Sequence, residues 1–266
     1  MRAPGPSILS ARFFKEKRPE GDDLVVRGRF IVFEGIDGSG VTTQAHRLKE
    51  YVGKKLGLPV HLTKEPTDGP VGGLIRTILA KRVGVPTRDG RLESVDPRCL
   101  ALLFAADRID HLEVDILPKL QNGVTIICDR YYLSSFAYQS LSVDLKWIRE
   151  INSKCIHPDL TIMLRVPPLV AEKRRLQDRW HVELYEETPK LEHVSANYLS
   201  IIKELQREGH RVEIIDGNRP PNEVHKDVVR LVRSLFTTTG NKKARARGSP
   251  QLGIDFASEG GGSADA

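Results

Sequence analysis

The chain is poor in cysteine. Cys99, Cys128 and Cys155 are its only three in 266 residues, and no two stand at C-x-x-C spacing. Neither a zinc site nor a disulfide framework is indicated, and isolated thiols fit a reducing cytoplasm. A long apolar run is absent too, so no segment reads as a membrane span. A dense basic stripe is missing, although the net charge is +6. Residues 1–28 hold six basic and four acidic groups and residues 237–266 hold four and three, which leaves the core at +3. Such a core suits a ligand built of phosphates and gives little ground for a nucleic-acid surface.

Hydrophobic residues make up 39% of the chain, enough for a buried core. Residues 29–236 are predicted to fold as one domain, between an extension (1–28) and a tail (237–266) that are both expected to be disordered. The run at 7–14 has some look of a transit peptide. Early prolines, few basic residues and the acidic patch Glu20-Gly21-Asp22-Asp23 weigh against one. The tail carries a basic cluster at 242–247 among glycine, serine and alanine. A solvated tail is favoured there over a nucleic-acid contact.

Within the domain, β-rich runs are predicted at 29–34, 59–64, 124–128, 160–166 and 211–215. Helical patterns are predicted over 41–56, 71–81, 97–120, 144–154, 168–177, 188–208 and 221–235, punctuated by Pro118, Asn122-Gly123, Gly209 and Gly217. Five short strands alternating with helices give an α/β fold of three layers, a five-stranded parallel sheet with helices on both faces. Ligands on such sheets bind at the carboxyl ends of the strands.

The first strand, Phe30-Ile31-Val32-Phe33, leads into Gly35-Ile36-Asp37-Gly38-Ser39-Gly40-Val41-Thr42 and a helical run that begins Thr42-Thr43-Gln44. This is the phosphate-binding loop G-x-x-x-x-G-K-[ST] in its strand–loop–helix context, with the lysine replaced by Val41. Glycines let backbone N–H groups close on phosphates, the helix N-terminus adds partial positive charge, and Thr42 offers a hydroxyl to Mg²⁺. A merely Gly-rich turn would not bring spacing, threonine and flanking elements together. The absent ammonium is the group that reaches the β- and γ-phosphates. Either another cation does its work or the chain does not turn over.

Chemically loaded residues follow the other strands as well. Lys64-Glu65-Pro66-Thr67-Asp68-Gly69-Pro70 follows the second and Asp129-Arg130-Tyr131 the third. Pro167-Pro168 and the basic helix Glu172-Lys173-Arg174-Arg175-Leu176-Gln177-Asp178-Arg179 follow the fourth. Together with Phe104-Ala105-Ala106-Asp107-Arg108 and the continuation of the third loop through Tyr132-Leu133-Ser134-Ser135-Phe136-Ala137-Tyr138-Gln139, the set resembles the thymidylate kinase family. The resemblance runs over about residues 29–235, with the motifs in the family's order. It implies a P-loop nucleoside-monophosphate kinase fold and transfer of the γ-phosphoryl of ATP to dTMP, giving dTDP, with Mg²⁺. It also implies a homodimer by analogy; with no long apolar run, no membrane partner is expected.

The same resemblance assigns roles. Phe104 stacks on thymine, and Arg108, four residues on and so on the same helix face, hydrogen-bonds a thymine carbonyl. Arg130 holds the dTMP phosphate, whose oxygens match a guanidinium fork. Asp129 either holds Mg²⁺ through water or fixes a neighbouring cation. Asp37 accepts a hydrogen bond from the 3′-hydroxyl, which gives a carboxylate in a phosphate loop its reason. Tyr138 packs under the deoxyribose, and Ser135 and Gln139 line the base pocket. Lys64 stands where the family often has arginine, and Arg76 is a second candidate for the monophosphate. Gly35, Ile36, Asp37, Gly38, Ser39, Gly40, Val41, Thr42 and Thr43 take ATP, with Thr42 and Asp129 on the metal side. Lys173, Arg174, Arg175 and Arg179 join Arg130 and Asp129 as catalytic candidates, placed for a lid that brings charge to the transferred phosphoryl.

The plain structural readings are a core aromatic for Phe104 and a surface ion pair of Arg108 with Asp107 or Asp110. For Asp129 with Arg130 it is a buried salt bridge, and for the basic run a solvated helix face. Three functions stay open. One is an active dTMP kinase in which a lid cation or Lys64 replaces the loop lysine. Another is a non-catalytic nucleotide-binding protein of the same fold, and the third a kinase for another deoxynucleotide. A decayed enzyme should have lost several site residues, yet Asp37, Thr42, Phe104, Arg108, Asp129, Arg130 and Tyr138 are all present. That favours activity.

Overall fold

Four consecutive apolar side chains precede Glu34 and Gly35, and together they form β1 (Phe30–Gly35), buried along its whole length. A strand buried on both faces needs helices on both sides of its sheet. The computed structural model describes residues 27–86, 88–89, 92–178 and 188–237. After β1 come α1 (Val41–Glu50), which runs on through a π-helical turn at Tyr51–Lys55, then β2 (Val60–Lys64) and α2 (Pro70–Leu79). A short antiparallel hairpin of β3 (Val85–Pro86) and β4 (Leu92–Glu93) follows. Next, α3 (Pro97–His111) passes through a second π-helical turn, Leu112–Ile116, into α4 (Leu117–Gln121). The remainder is β5 (Thr125–Asp129), α5 (Tyr132–Gln139), α6 (Leu145–Ile151), β6 (Leu160–Arg165), α7 (Pro168–Asp178), α8 (Thr188–Arg207), β7 (Val212–Asp216) and α9 (Pro221–Thr237).

Local chemistry marks the helix starts. Pro70, Pro97, Pro168 and Pro221 each open a helix, where the missing N–H is no loss and φ is preset. Asp96 and Asp144 cap α3 and α6, accepting from the N–H groups of Arg98 at 2.8 Å and Trp147 at 3.0 Å. Gly40 starts α1 from a left-handed conformation at φ 93°, open to glycine without steric cost.

The five long strands form one parallel sheet in the order β2-β5-β1-β6-β7. Alternate residues of β1 face opposite layers. Phe30 and Val32 share a core with Ile116, Leu133, Ile148 and Ile202, supplied by the α3–α4 run, α5, α6 and α8. Ile31 and Phe33 share another with Ala45, Leu48, Val228 and Val232 of α1 and α9. Each such side chain stabilises the fold by about 1.5–3 kcal/mol on burial. A third, smaller cluster of Ile75, Ile78, Leu79 and Leu100 joins α2 to α3. The strand register sets Lys64 and Phe33 beside Asp129, Gly35 beside Leu164, and Arg165 beside Asp216. All five strands therefore end together, and the loops after them share one edge. Among the described residues no helix is long and apolar enough to cross a membrane.

The predicted fold class stands, and each of the five strands lies within one residue or so of its expected bounds. Two elements depart from expectation. The predicted helix over 97–120 is interrupted by the π-helical turn just before Pro118, whose ring cannot sit against the carbonyl four residues back in an unbroken α-helix. Helix α5 had no sequence signal. Seven of its eight residues are buried, so it has no polar face to give a helical period. The two-residue strands β3 and β4 are too short for any pattern to show. The extensions lie outside the described residues except for 27–28 and 237.

Candidate functional site

The loops at the carboxyl edge enclose a cavity of about 660 Å³, within the range of small-molecule sites, roughly 300–1,000 Å³. Given the strand order, residues near β2 lie at one end and those after β7 at the other. Leu79, Phe104, Arg108, Lys64 and Arg76 line the first end, and Arg219, Pro221 and Val224 the second. The phosphate loop and the start of α1 lie between them, with Ile36 through Gln44 on the cavity wall.

Arg130 is the hinge of the site. Its backbone is left-handed at φ 71°, a conformation that costs a side-chain-bearing residue roughly 1–3 kcal/mol. Its guanidinium donates to Gly35 O at 2.9 Å, to Ser134 Oγ at 3.3 Å and to Asp37 Oδ1 at 2.7 Å. Burial works against the charge of Arg130, but Asp37 together with the other groups around it, Asp129 among them, holds the guanidinium well above its ordinary pKa. The Tyr138 hydroxyl donates to Asp37 Oδ2 at 3.0 Å, and the Arg130 guanidinium lies 5.6 Å from the Tyr138 ring centre. Burial, then the Asp37 carboxylate, push the Tyr138 hydroxyl far up, so it stays a neutral donor. Thus the carboxylate in the phosphate loop is already matched by a cation. The Asp129–Arg130 salt bridge considered from sequence is not what forms. Asp129 turns instead to Thr42, whose Oγ1 donates to Asp129 Oδ2 at 2.6 Å.

Arg108 is almost wholly buried, 1% exposed, and reaches neither Asp107 nor Asp110 as its ion-pair partner. Its Nε donates to Glu65 Oε2 at 2.8 Å, its Nη2 to Ser135 Oγ at 3.0 Å, and its Nη1 to Asn152 Oδ1. Burial opposes its charge, and Glu65 foremost among its neighbours holds the pKa above the ordinary value. Glu65 also meets His111 Nδ1 at 3.1 Å. Asp107 serves the loop after β2, accepting from Thr67 N–H at 2.8 Å and Thr67 Oγ1 at 2.6 Å. Lys64 and Arg76 both pair with Asp68, at 3.1 and 3.5 Å, and Arg76 also donates to the carbonyls of Pro66 and Thr67. Phe104 lies on the cavity wall beside the α2–α3 core. Gln139 Oε1 and Ser39 Oγ are buried oxygens with no hydrogen-bond partner among the described residues. Both residues line the cavity.

Helix α7 lies directly on the phosphate loop. A Cβ at Gly38 (φ 84°) would stand 2.1 Å from Ala171 O, so only glycine fits there. Arg174 and Arg175 line the cavity, and Arg174 donates to Gly217 O at 3.1 Å. Lys173 is exposed and off the cavity wall, and Arg179 lies outside the described residues. Val41 is 5% exposed and belongs to the core of α1 and α9 with Ala45, Leu48, Val224 and Val228.

The thymidylate kinase family model matches residues 33–228. A probable thymidylate kinase of Pyrococcus abyssi is 42% identical over 211 residues, covering 78% of this chain and 97% of the relative. One from Pyrococcus horikoshii is 40% identical over 210 residues with the same coverage, and one from Pyrobaculum aerophilum 41% over 207 residues, covering 77% and 97%. The chain belongs to the thymidylate kinase family.

Within that family frame, the expected residues Asp37, Lys64, Arg76, Phe104, Arg108, Arg130, Ser135, Tyr138 and Gln139 all converge on one cavity. Sequence reasoning missed Glu65, which anchors Arg108, and Arg219 at the far end, which pairs with Asp227 at 2.5 Å. Arg219 had a signal: Asp216-Gly217-Asn218-Arg219 is the loaded loop after the fifth strand, at the edge where the other four loops carry chemistry. Replacing Glu65 by Leu would strand the Arg108 charge, and urea unfolding should show a loss of about 3–5 kcal/mol. The double variant Glu65→Leu with Arg108→Met should recover most of it, and an unchanged midpoint for Glu65→Leu alone would refute the pairing.

Proposed function

We propose that the chain transfers the γ-phosphoryl of ATP to dTMP, giving dTDP, and that cations of α7 replace the loop lysine. The observation that carries this reading is the contact of α7 with the loop at Gly38, with Arg174 and Arg175 on the wall of the same cavity. The dTMP phosphate would sit at Arg130, the base against Phe104 beside Arg108, Ser135 and Gln139, and the sugar over Tyr138. The triphosphate would follow the 35–43 loop toward α7.

Phosphoryl transfer needs positioning and positive charge more than covalent chemistry. Arg130 fixes the acceptor phosphate, and Arg174 and Arg175 face charge that spreads over the moving phosphoryl. Mg²⁺ keeps most of its waters and takes one or two protein ligands plus substrate phosphates. Thr42 and Asp129, in contact at 2.6 Å, fit that mode, and the absence of a three-residue metal cage among the described residues is no obstacle to it. When bound, the ion would offset charge on the β- and γ-phosphates. Val41 puts apolar packing between α1 and α9 where the family pattern has a charge. The free thiols Cys99, Cys128 and Cys155 agree with a cytoplasmic location.

Purified chain with dTMP, ATP and Mg²⁺ should form dTDP. Arg174→Ala should lower kcat by about 100-fold or more, as for loss of one preorganised donor, while dTMP binding changes little. Activity unchanged in Arg174→Ala and in Arg175→Ala would refute the replacement by α7. A silent wild type revived by Val41→Lys would favour the non-catalytic reading, and a preference for dUMP or dCMP the third.

The reading includes a homodimer. Leu102, Ala106 and Ile109 make an exposed stripe on α3, with Leu74 of α2 exposed as well. The occupant we infer is the same stripe of a second copy, since a self-complementary apolar face closes under two-fold symmetry. Sedimentation should give a dimer for the wild type and a monomer for Leu102→Glu with Ile109→Glu. A monomeric wild type would refute it.

A further inference from the structure

Glu34 takes no part in the chemistry above, yet it is the last side chain before the phosphate loop and is fully buried. Its Oε1 accepts from the N–H groups of Tyr131 at 2.9 Å and Ser134 at 3.2 Å, both at the start of α5. Its Oε2 accepts from Ser134 Oγ at 2.5 Å and from the Tyr198 hydroxyl of α8 at 3.1 Å. Ser134 Oγ in turn accepts from Arg130 at 3.3 Å. The carboxylate is thus one hydroxyl away from the guanidinium fork. We propose that Glu34 is a positioning residue of the monophosphate site, aligning Arg130 through Ser134, and that it takes up a proton from solvent when a nucleoside-monophosphate phosphate binds. This rests on the reading of Arg130 as the anchor of that phosphate.

The physical basis is charge balance in a buried site. Around Glu34 lie Arg130 and Tyr131 ahead of α5, Tyr132 and Ser134 on it, Tyr198 on α8, Cys128 on β5, and Asp37 behind Arg130. Burial pushes the tyrosine hydroxyls and the Cys128 thiol up, so they stay neutral. Arg130 is the charged neighbour that acts on Glu34, with Asp37 behind it and Asp129 at the end of the paired strand β5. Burial raises the Glu34 carboxyl to about 7, against the lowering pull of Ser134 and Arg130. The group is therefore half protonated near neutral pH. A phosphate dianion on Arg130 adds negative charge to a region of low dielectric and favours the protonated acid further. The new O–H meets hydroxyls that can accept as well as donate: Ser134 Oγ and the Tyr198 hydroxyl stand 2.9 Å apart and can reverse direction.

The test is calorimetry of dTMP binding at pH 7 in two buffers of different ionisation enthalpy, with wild type and Glu34→Gln. Wild type should take up roughly 0.4 proton more than the variant, the uptake of a half-titrated group whose pKa rises by about one unit. Protonation of dTMP itself cancels in that difference. In parallel, KM for dTMP should rise about sixfold from pH 6.5 to 8.5 in the wild type with kcat nearly flat, and should lose that slope in Glu34→Gln. Tyr198→Phe keeps the carboxylate but removes a hydrogen bond to its ionised form, so its KM profile should move to higher pH. Equal proton uptake in wild type and Glu34→Gln, or a Tyr198→Phe profile that coincides with wild type, would overturn the proposal. Failure of dTMP to bind would instead overturn the reading of the Arg130 pocket on which it rests.

Discussion

Arg130 turns left-handed at the end of β5, and Asp37 on the neighbouring phosphate loop takes its charge at 2.7 Å. Each partner needs the other. A lone carboxylate would repel phosphates from the loop, and a lone buried guanidinium would be costly. Paired, they join the loop after β1 to the loop after β5 and set the distance between the two halves of the cavity. Tyr138 closes the group through Asp37, while Ser134, Glu34 and Tyr198 secure it from α5, β1 and α8. The strained backbone of Arg130 persists because three elements hold its side chain from different directions.

A second ion pair, Glu65 with Arg108, is fully buried and does the same work at the β2 end of the cavity. It ties the loop after β2 to α3, and through Ser135 to α5. The site is thus built from two charged anchors with α5 between them, which is why α5 is almost entirely buried. A buried pair of this kind contributes little net stability over an apolar one, but losing one partner is expensive. Positions of this type hold geometry more than they hold the fold.

Much of this was legible from residue order alone. Gly35 to Thr42 between an apolar strand and a helix carries the phosphate-loop pattern, because backbone N–H groups converge in that context. The alternation of strands and helices then places Lys64, Asp129 and the 168–178 helix on the same edge. What sequence could not reveal is partner choice among charges. Arg108 has Asp107 beside it and Asp110 two residues on, yet it pairs with Glu65, 43 residues away, while Asp107 turns to Thr67. Likewise Arg130 passes over adjacent Asp129 for Asp37. Such choices are made by tertiary packing, which sequence spacing does not encode. Of the four basic lid candidates, helical phase sorts Arg174 and Arg175 inward and Lys173 outward, a distinction a run of like residues conceals.

A single cavity spans the sheet edge from Phe104 to Arg219, and in the proposed reaction acceptor and donor nucleotides lie end to end in it across Arg130 and the loop. The most direct measurement is calorimetric binding of one molecule in which thymidine and adenosine are joined through their 5′ positions by a chain of phosphates. One site per chain is expected, with affinity at least 100-fold above that of dTMP or ATP alone, because the second half binds at high effective concentration. Binding no tighter than that of either nucleotide alone would contradict it.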